Sequence, residues 1–400
     1  MQQAERKSKD MGKSKENSGF SFATIYKYSL FIEVVIVFAL FGILTNGTFL
    51  STRNLSNLMM QGVTCSIIAI TMTLVIVSCN ADLSAGTALG CIGTIAAVLQ
   101  VKLHWGTALS FAAVIVCSLL LGIWHAFWIA YKKLPAFIVT LATQLVLKGI
   151  ILYVGNGAAI GPVNDSFAKF GSEYLPNFGL ETNVHVLSLA ITLLGALAYV
   201  VMTIRGEKKK IASGLITPSW KKKIIQMVAI LIVIFGVSSI FIFYKGFPYA
   251  IIILIALTGL FHFLVNNTSF GRYVFAIGGN IEASRLSGIN TDRVVMLIYV
   301  LHSLLVGVAS VIYLGRVGQA TATAGTSFEF TAITGCVVGG TSILGGSGTI
   351  VGAVIGTMLM AGLDNGMSLL NMGQSSQYVV KGLVLMLAIA MDVISKDKRR

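Results

Sequence analysis

The feature that most constrains this chain is a series of twelve apolar stretches separated by short polar segments. They lie at about 29–46, 56–79, 85–100, 107–130, 136–154, 184–204, 224–243, 249–265, 294–314, 328–344, 349–364 and 377–394. A helix needs about 20 apolar residues to cross a bilayer. Only 11% of the 400 residues are charged, against about 25% in soluble domains. The chain is therefore predicted to be an all-α polytopic membrane protein.

Some of these stretches are too short to cross a membrane as straight helices, notably 85–100 and the pair within 328–364. They are rich in glycine, which is typical of broken or re-entrant helices that are buried in protein. We expect roughly ten full spans plus such short pieces. The sequences that follow Ser84 and Ser347 resemble each other. An internal repeat and ordinary glycine-rich helix packing explain this similarity equally well.

The net charge of +14 comes from basic clusters between apolar stretches, so we interpret it as a topology signal and not as a nucleic-acid site. The clusters lie at 6–15, 132–133, 205–223, 272–293 and 396–400. If every stretch crosses once, all of them fall on the cytoplasmic side together with both termini. The predicted organisation is a polar N-terminal tail over 1–28, one transmembrane domain over 29–395 and a basic tail over 396–400. Within that domain, 205–223 and 266–293 are predicted cytoplasmic loops.

The sequence shows no pattern of a catalytic, metal or cofactor site. Gly12-Lys13-Ser14 resembles the end of a phosphate-binding loop, but Lys7 stands where that motif requires glycine. The five histidines lack HExxH spacing, and the five cysteines lie in apolar stretches without a CxxC pair. We interpret these cysteines as small core residues. The chain is thus not expected to be an enzyme or to hold a cofactor.

The polar segment between two apolar stretches at 268–290 carries the signals of a short capped helix. Asn280 is a suitable N-cap, Glu282 lies in the first turn, Arg285 lies in the last turn, and Gly288 suits a left-handed stop. A helix of about two turns in a cytoplasmic segment has no core to fill. It is interpreted as a docking element for another protein, and an ordered surface loop is the alternative.

Four sequence segments resemble those of ribose/xylose-type permease subunits of bacterial ABC importers. They are Thr268–Asn290, Ile76–Gly86 (close to the family pattern G-I-D-L-S-V-G), Lys133–Leu141 and Gly335–Ser342. The resemblance runs from about 30 to 395 in the family's order and spacing. The insert near 205–223 and the segment 363–368 resemble the xylose or multiple-monosaccharide branch. Ala81 and Thr331 depart from the family pattern, and Thr331 replaces an acidic residue that would bear on the pore lining.

This resemblance implies a permease in a bacterial cytoplasmic membrane that imports a monosaccharide, with xylose or a related sugar favoured. It implies a separate ABC ATPase subunit, with two nucleotide-binding halves, and an extracytoplasmic sugar-binding protein. It also implies a second permease copy that forms a homodimer around the pore. The expected substrate path includes Asn80, Asp82, Thr140, Glu329, Thr331, Asp364 and Asn365. The expected ATPase-coupling residues are Gly271, Arg272, Gly279, Asn280, Glu282, Arg285 and Gly288.

Four acidic residues lie within or beside apolar stretches, where carboxylates are costly and usually functional. Asp82 is expected either to cap the next helix through the Ser84 and Gly86 amides or to line the path. Glu329 is interpreted as a helix cap in preference to a path residue. Glu33 is expected to pair with a neighbour or to extend towards the membrane surface, and Asp364 to face the path near the outer surface.

Two other classes of protein are alternatives to an ABC permease. An ion-coupled secondary transporter of a small polar solute also needs carboxylates within the membrane, but it does not need a cytoplasmic docking helix. An intramembrane enzyme is disfavoured because no metal or nucleophile constellation is present. A neighbouring gene for an ATPase with two nucleotide sites would favour the importer.

Overall fold

A computed structural model describes residues 22–177, 184–214 and 219–397. Over these residues the chain forms fifteen helices. They are α1 (Phe22–Leu44), α2 (Thr52–Val77), α3 (Ala85–Val101), α4 (Thr107–Ala126), α5 (Ala136–Gly155), α6 (Asp165–Ser172), α7 (Val186–Ala212), α8 (Trp220–Ile242), α9 (Tyr249–Asn267), α10 (Ser269–Gly279), α11 (Ile281–Leu286), α12 (Thr291–Val317), α13 (Phe328–Val338), α14 (Ile350–Leu369) and α15 (Gln374–Asp397). A π-helical turn, Phe127–Tyr131, continues α4.

Nine helices within the described ranges are long and apolar enough to cross a membrane. They are α2, α4 with its π-helical turn, α5, α7, α8, α9, α12, α14 and α15. Three further apolar helices are shorter: the part of α1 from Leu30 to Leu44, α3 and α13. The predicted all-α polytopic fold, with roughly ten spans and additional short pieces, is thereby confirmed.

Helices α2 and α12 form the centre of the bundle, because both are buried along most of their length. Close backbone approaches hold α12 against α4. Gly122 faces the backbone of Val300, and Gly307 lies against the side chain of Ser118. By contrast, most of the surface of α7, α8 and α15 is exposed and apolar. Hydrocarbon tails are as apolar as leucine, so such helix faces are stable when they contact lipid.

The two short helices α3 and α13 meet at their N-termini inside the bundle. The α-carbon of Gly86 on α3 is so close to Gly325 and Glu329 that a Cβ would lie 2.3 Å from the Gly325 oxygen. Gly90, one turn further along α3, faces the backbone oxygen of Ala324 in the same way. These contacts bury the helix ends in protein. The backbone N–H and C=O groups at the ends are thereby kept away from lipid, which could not form hydrogen bonds with them. The predicted broken helices are therefore present.

Three predicted boundaries differ from the structure. Helix α1 begins at Phe22, inside the predicted N-terminal tail, of which residues 1–21 lie outside the described part. Helix α14 continues through Asp364 to Leu369 and is a full-length span. The predicted 205–223 loop is largely helical where it is described, since α7 runs to Ala212 and α8 begins at Trp220.

Ion pairs stabilise the C-terminal end of α7 and the N-terminal end of α8. The apolar stretches in the sequence did not predict these helical turns, because their residues are mainly polar. Glu207 on α7 is nearly buried, and its Oε1 lies 3.1 Å from Nζ of Lys210 and 2.9 Å from Nζ of Lys223 on α8. A carboxylate between two ammonium groups favours continued helix over loop, because the pairs hold the two ends together. The basic segment is therefore an extension of two helices.

The cysteine prediction was correct for Cys65, Cys91 and Cys336, which are buried, but wrong for Cys79, which is exposed. Cys79 follows the end of α2 and has a positive φ of 59°. Its backbone has left the helix, and its Sγ lies 3.4 Å from the backbone oxygens of Gly278 and Leu344. Cys117 is partly buried.

Candidate functional site

The polar break between α2 and α3 is organised around Asp82, whose side chain is almost fully buried. The Asp82 Oδ1 atom accepts hydrogen bonds from the backbone N–H and the hydroxyl of Ser84, each at 2.7 Å. These bonds turn the chain into α3, as expected for a capping carboxylate. The expected contact with the Gly86 amide is not among the described contacts of Asp82. Gly86 lies instead against Oε2 of Glu329.

Two buried histidines from other helices flank Asp82. His302 on α12 places its Nε2 3.4 Å from Asp82 Oδ2, and His125 on α4 places its Nδ1 3.8 Å from the same oxygen. Thr71 on α2 lies 3.0 Å from Nδ1 of His302 and orients the ring. The sequence did not predict this pair, because HExxH spacing, which the five histidines lack, marks only metal sites on one helix. Ionisable residues inside apolar stretches were the available signal.

Helix α5 forms hydrogen bonds both to the break between α2 and α3 and to the first turn of α13. The Thr140 hydroxyl accepts a hydrogen bond of 3.1 Å from the Leu83 amide, and Gln144 Nε2 donates to Glu329 Oε1 at 3.4 Å. Glu329 lies buried in the first turn of α13, as the sequence predicted for a residue at this helix start. We call Asp82, His125, Thr140, His302 and Glu329 the break cluster. It brings together three of the seven residues expected along the substrate path.

Asn80 and Asn365, which were also expected along the path, have mainly local or bracing contacts. Asn80 Nδ2 donates to the Ser78 oxygen at 2.9 Å and so closes the turn after α2. Asn365 on α14 and Asn54 on α2 exchange two amide hydrogen bonds of 2.8 Å and 3.1 Å. These reciprocal bonds join α14 to the start of α2.

Thr331 and Asp364, the remaining two expected path residues, line a separate polar cavity of about 340 Å³. We call it the polar cavity. It is formed where five helices converge, and its polar lining includes Gln61, Arg316, Thr331, Asp364, Gln374 and Lys381. The Asp364 Oδ2 atom pairs with Lys381 Nζ at 2.8 Å. Arg316 and Lys381 were missed because only the acidic residues of the apolar stretches were considered.

Glu33, the fourth acidic residue, faces an apolar groove of about 640 Å³ between α1 and α13–α15. No ion pair joins it to another described side chain. The expectation that it pairs with a neighbour is therefore not met within the part of the chain that the structure describes.

The predicted capped helix in the 268–290 segment is present as α11. Asn280 Oδ1 accepts from the Ala283 amide at 2.9 Å, Glu282 pairs with Arg285 at 3.3 Å, and Gly288 has a φ of 82°. The preceding helix α10 was not predicted. On α11, Leu286 is 89% exposed. Ile281 on the same helix is 44% exposed, so this short helix outside the spans leaves two large apolar side chains uncovered.

Helix α10 anchors this docking segment (269–288) to the rest of the bundle. Gly278 is in such close contact with the Val77 carbonyl at the end of α2 that a Cβ would lie 1.7 Å from the oxygen. The same carbonyl accepts a hydrogen bond of 2.9 Å from Gly346. Gly271 packs against the backbone of Val265. The predicted coupling residues Arg272 and Gly279 are exposed on the same segment.

Two physical connections therefore lead from the docking segment to the break cluster. One is the contact between Gly278 and Val77, which ends α2 just before Asp82. The other is the chain itself, since α11 leads directly into α12, which carries His302. Lys133, just after α4, pairs with Asp292 in the first turn of α12 and stabilises this junction.

Comparison with known proteins identifies one family and several full-length relatives. Residues 54–389 match the family described as branched-chain amino acid transport system / permease component. The chain is 37% identical over 383 residues to the xylose transport system permease protein XylH of Escherichia coli (strain K12), covering 96% of this chain and 95% of the relative. It is 35% identical to XylH of Haemophilus influenzae, covering 93% and 97%. It is 29% identical to the ribose import permease protein RbsC of Escherichia coli (strain K12), covering 93% and 95%. No solved structure matches the chain.

Proposed function

Because the chain belongs to the branched-chain amino acid transport system / permease component family, we propose that it is the membrane-spanning subunit of a bacterial ABC importer for a monosaccharide. Its place is the bacterial cytoplasmic membrane, with both termini on the cytoplasmic side. Nine described helices long enough to span a bilayer support a multi-pass protein. Energy comes from a separate ATPase, and an extracytoplasmic protein delivers the sugar to a pore formed with a second permease copy.

The observation that carries this proposal is the docking segment. Leu286 and the Glu282–Arg285 pair lie exposed on α11, while α10 is fixed by backbone contacts to the end of α2. Because α10 is in direct backbone contact with α2, a displacement of α11 by a bound partner would be passed on to α2. An ion-coupled transporter draws its energy from the gradient of the coupling ion across the membrane and has no need of such an element.

The substrate class is proposed from the relatives. Two relatives named for xylose are 37% and 35% identical to the chain, and one named for ribose is 29% identical. Both sugars are pentoses. We infer that a pentose, with xylose favoured, is the imported solute. Movement of the docking segment would then shift α2 and α12 relative to the point where α3 and α13 meet. This shift would change the geometry of the break cluster.

The proposal is tested by co-purifying the permease with its ATPase in detergent and by measuring uptake of labelled xylose. We expect Leu286→Ala to weaken ATPase retention by about 2 kcal/mol, roughly 30-fold, as for a central interface anchor. Leu103→Ala is the matched control. Leu103 is also exposed, but it lies in the turn after α3, at the other end of α4 from Lys133.

Two results would contradict the importer. One is equal ATPase retention by both leucine variants. The other is xylose uptake that persists without ATPase and collapses when an ionophore removes the ion gradient. The second result would favour the ion-coupled secondary transporter.

A further inference from the structure

The polar cavity lies at the end of the bundle away from the docking segment. Its residue Arg316 is 25 positions after Thr291 on α12, which is about 38 Å along a helix that begins beside α11. Gln374, the first residue of α15, lines the same cavity. A solute that enters from this end therefore meets the cavity before the break cluster. This holds whichever way the bundle is oriented.

Several polar groups of this cavity have no partner among the described residues. Arg316 Nε and Asp364 Oδ1 are both buried without a hydrogen bond. The amides of Gln61 and Gln374 make no bond to another described side chain. Buried polar groups without partners are costly. Two in one cavity, a donor and an acceptor, together with the amides of Gln61 and Gln374 at its exposed rim, indicate that the site is built to bind a polar molecule.

The size and chemistry of the cavity limit what that molecule is. A volume of about 340 Å³ is at the lower end of the range of small-molecule sites, about 300–1,000 Å³. Amides bind hydroxyls as donors and acceptors, a carboxylate accepts from them, and a guanidinium presents two parallel donors to neighbouring oxygens. The rings of Phe328 and Tyr378 add apolar surface. Neighbouring hydroxyls on a compact ring match this set.

We propose that the polar cavity is an entry subsite that holds one neutral monosaccharide, a role that rests on the proposed import function. Arg316, Asp364 and the amides of Gln61 and Gln374 bind its hydroxyls, and Lys381 fixes the Asp364 carboxylate. Affinity is weak, because Gln61 and Gln374 are exposed at the rim. A weak subsite suits transport, since the sugar must leave again in each cycle.

Direct binding tests the subsite without any ATPase. The purified permease in lipid nanodiscs is titrated with D-xylose, and saturation-transfer NMR reports the bound sugar. Gln61→Leu, which keeps the size but removes the amide, is expected to weaken binding about 3- to 10-fold, as for one lost hydrogen bond. Gln226→Leu is the matched control, because Gln226 is exposed on α8 and away from the cavity.

Equal xylose binding by the wild type, Gln61→Leu and Gln226→Leu, or no binding by any of them, would overturn the subsite. Arg316 and Lys381 outnumber Asp364, so D-glucuronate is included as a competitor. Displacement of xylose by glucuronate at a tenfold lower concentration would overturn the neutral sugar in favour of an anion. Failure of the import function has a different signature. In that case xylose binds and Gln61→Leu weakens it, but no ATPase co-purifies.

Discussion

A carboxylate buried inside a membrane protein needs compensation, and Asp82 receives it from three directions. Ser84 supplies two hydrogen bonds from the chain just ahead, while His125 and His302 approach from α4 and α12. Asp82 therefore does more than cap a helix. It joins the break between α2 and α3 to two neighbouring helices, one of which follows the docking segment. Loss of its side chain would leave a buried backbone amide without its acceptor.

At Asp82 we expect the two simplest variants to differ. Asp82→Asn keeps an acceptor for the Ser84 amide and is expected to cost about 0.5–2 kcal/mol, the value of a cap. Asp82→Ala removes every contact of the carboxylate and is expected to cost more, about 1–3 kcal/mol for each of the two Ser84 donors that it leaves without an acceptor. Thermal unfolding of the purified protein in detergent measures the order. Asp165→Ala, at an exposed position on α6, is the control. Equal unfolding temperatures of both Asp82 variants would contradict the bracing role.

At the scale of elements, the meeting of α3 and α13 depends on the absence of side chains. The two helices approach so closely that only glycine fits at Gly86 and Gly90. The positive ends of both helix dipoles face this point, and the Asp82 and Glu329 carboxylates lie beside them. Carboxylates at helix N-termini are favourable, which stabilises an arrangement that would otherwise concentrate positive potential.

Gly90→Ala is therefore expected to destabilise the protein by about 1–3 kcal/mol, as for an overpacked core. Its Cβ would lie 2.4 Å from the Ala324 backbone oxygen, which cannot turn away as a flexible side chain would. Gly195→Ala on α7 is the matched control, because nothing lies within 4 Å of its Cβ position. There we expect no loss, and a gain of up to about 1 kcal/mol from helix propensity. The comparison is made by thermal unfolding, and an equal response at both sites would contradict the close contact.

The docking helix α11 offers a second prediction for an element. Gly288 has a φ of 82° and open space around it, so a side chain there meets no neighbour but strains the backbone. Gly288→Val is expected to cost about 1–2 kcal/mol locally and to misalign α11. Insertion and yield should remain normal, while ATPase retention and xylose uptake fall. Glu282→Arg, which places a cation at the positive end of the helix, should act in the same direction.

Gly236→Ala on α8 is the steric control for Gly288→Val, since its Cβ position is equally open, its φ is not left-handed and it lies outside the docking segment. We expect it to retain more ATPase than Gly288→Val. Normal retention and uptake by both Gly288→Val and Glu282→Arg would show that α11 is not the coupling element. The secondary-transporter interpretation would then regain support.

At the scale of the whole molecule, the orientation in the membrane is the property on which the proposed import function most depends. Basic residues cluster near the docking segment, including Lys132, Arg272 and Arg293. Clusters of this kind remain on the cytoplasmic side during insertion. An ATPase can reach α11 only from that side, so the charge pattern and the proposed function require the same orientation.

A reporter fused after Arg400 is accordingly expected to be cytoplasmic, and a reporter inserted near Asn164, between α5 and α6, to be external. A pair of fusions to alkaline phosphatase and a fluorescent protein measures each position. A fusion after Lys133 serves as an internal check, because one further helix separates it from Asn164. An external C-terminus would contradict both the orientation and the docking of a cytoplasmic ATPase.

Those features of the chain that depend on local physics were predictable from the sequence. Lipid offers no hydrogen-bond partner to backbone polar groups, so every span must be a helix that forms all its backbone hydrogen bonds internally. Its side chains face lipid or other helices, so each span is visible in the sequence as an apolar stretch. Most predicted stretches consequently agree with the helices to within a few residues. The Asn280 cap and the Gly288 stop were also predictable, because a cap lies within a few residues of the amides it serves. The apparent exceptions, the ends of α7 and α8, depend in part on an ion pair between the two helices.

Which helix faces which was decided only by the tertiary structure. His125, His302 and Asp82 meet although they lie on three different elements, and the polar cavity takes its lining from five helices. Inside a membrane the surroundings of a helix are apolar on all sides, so hydrophobicity does not mark the face that packs against protein. Close approach through glycine and small side chains determines that face instead. Such contacts join residues far apart in the chain, so the partners of a polar residue in one span are not encoded near it in the sequence.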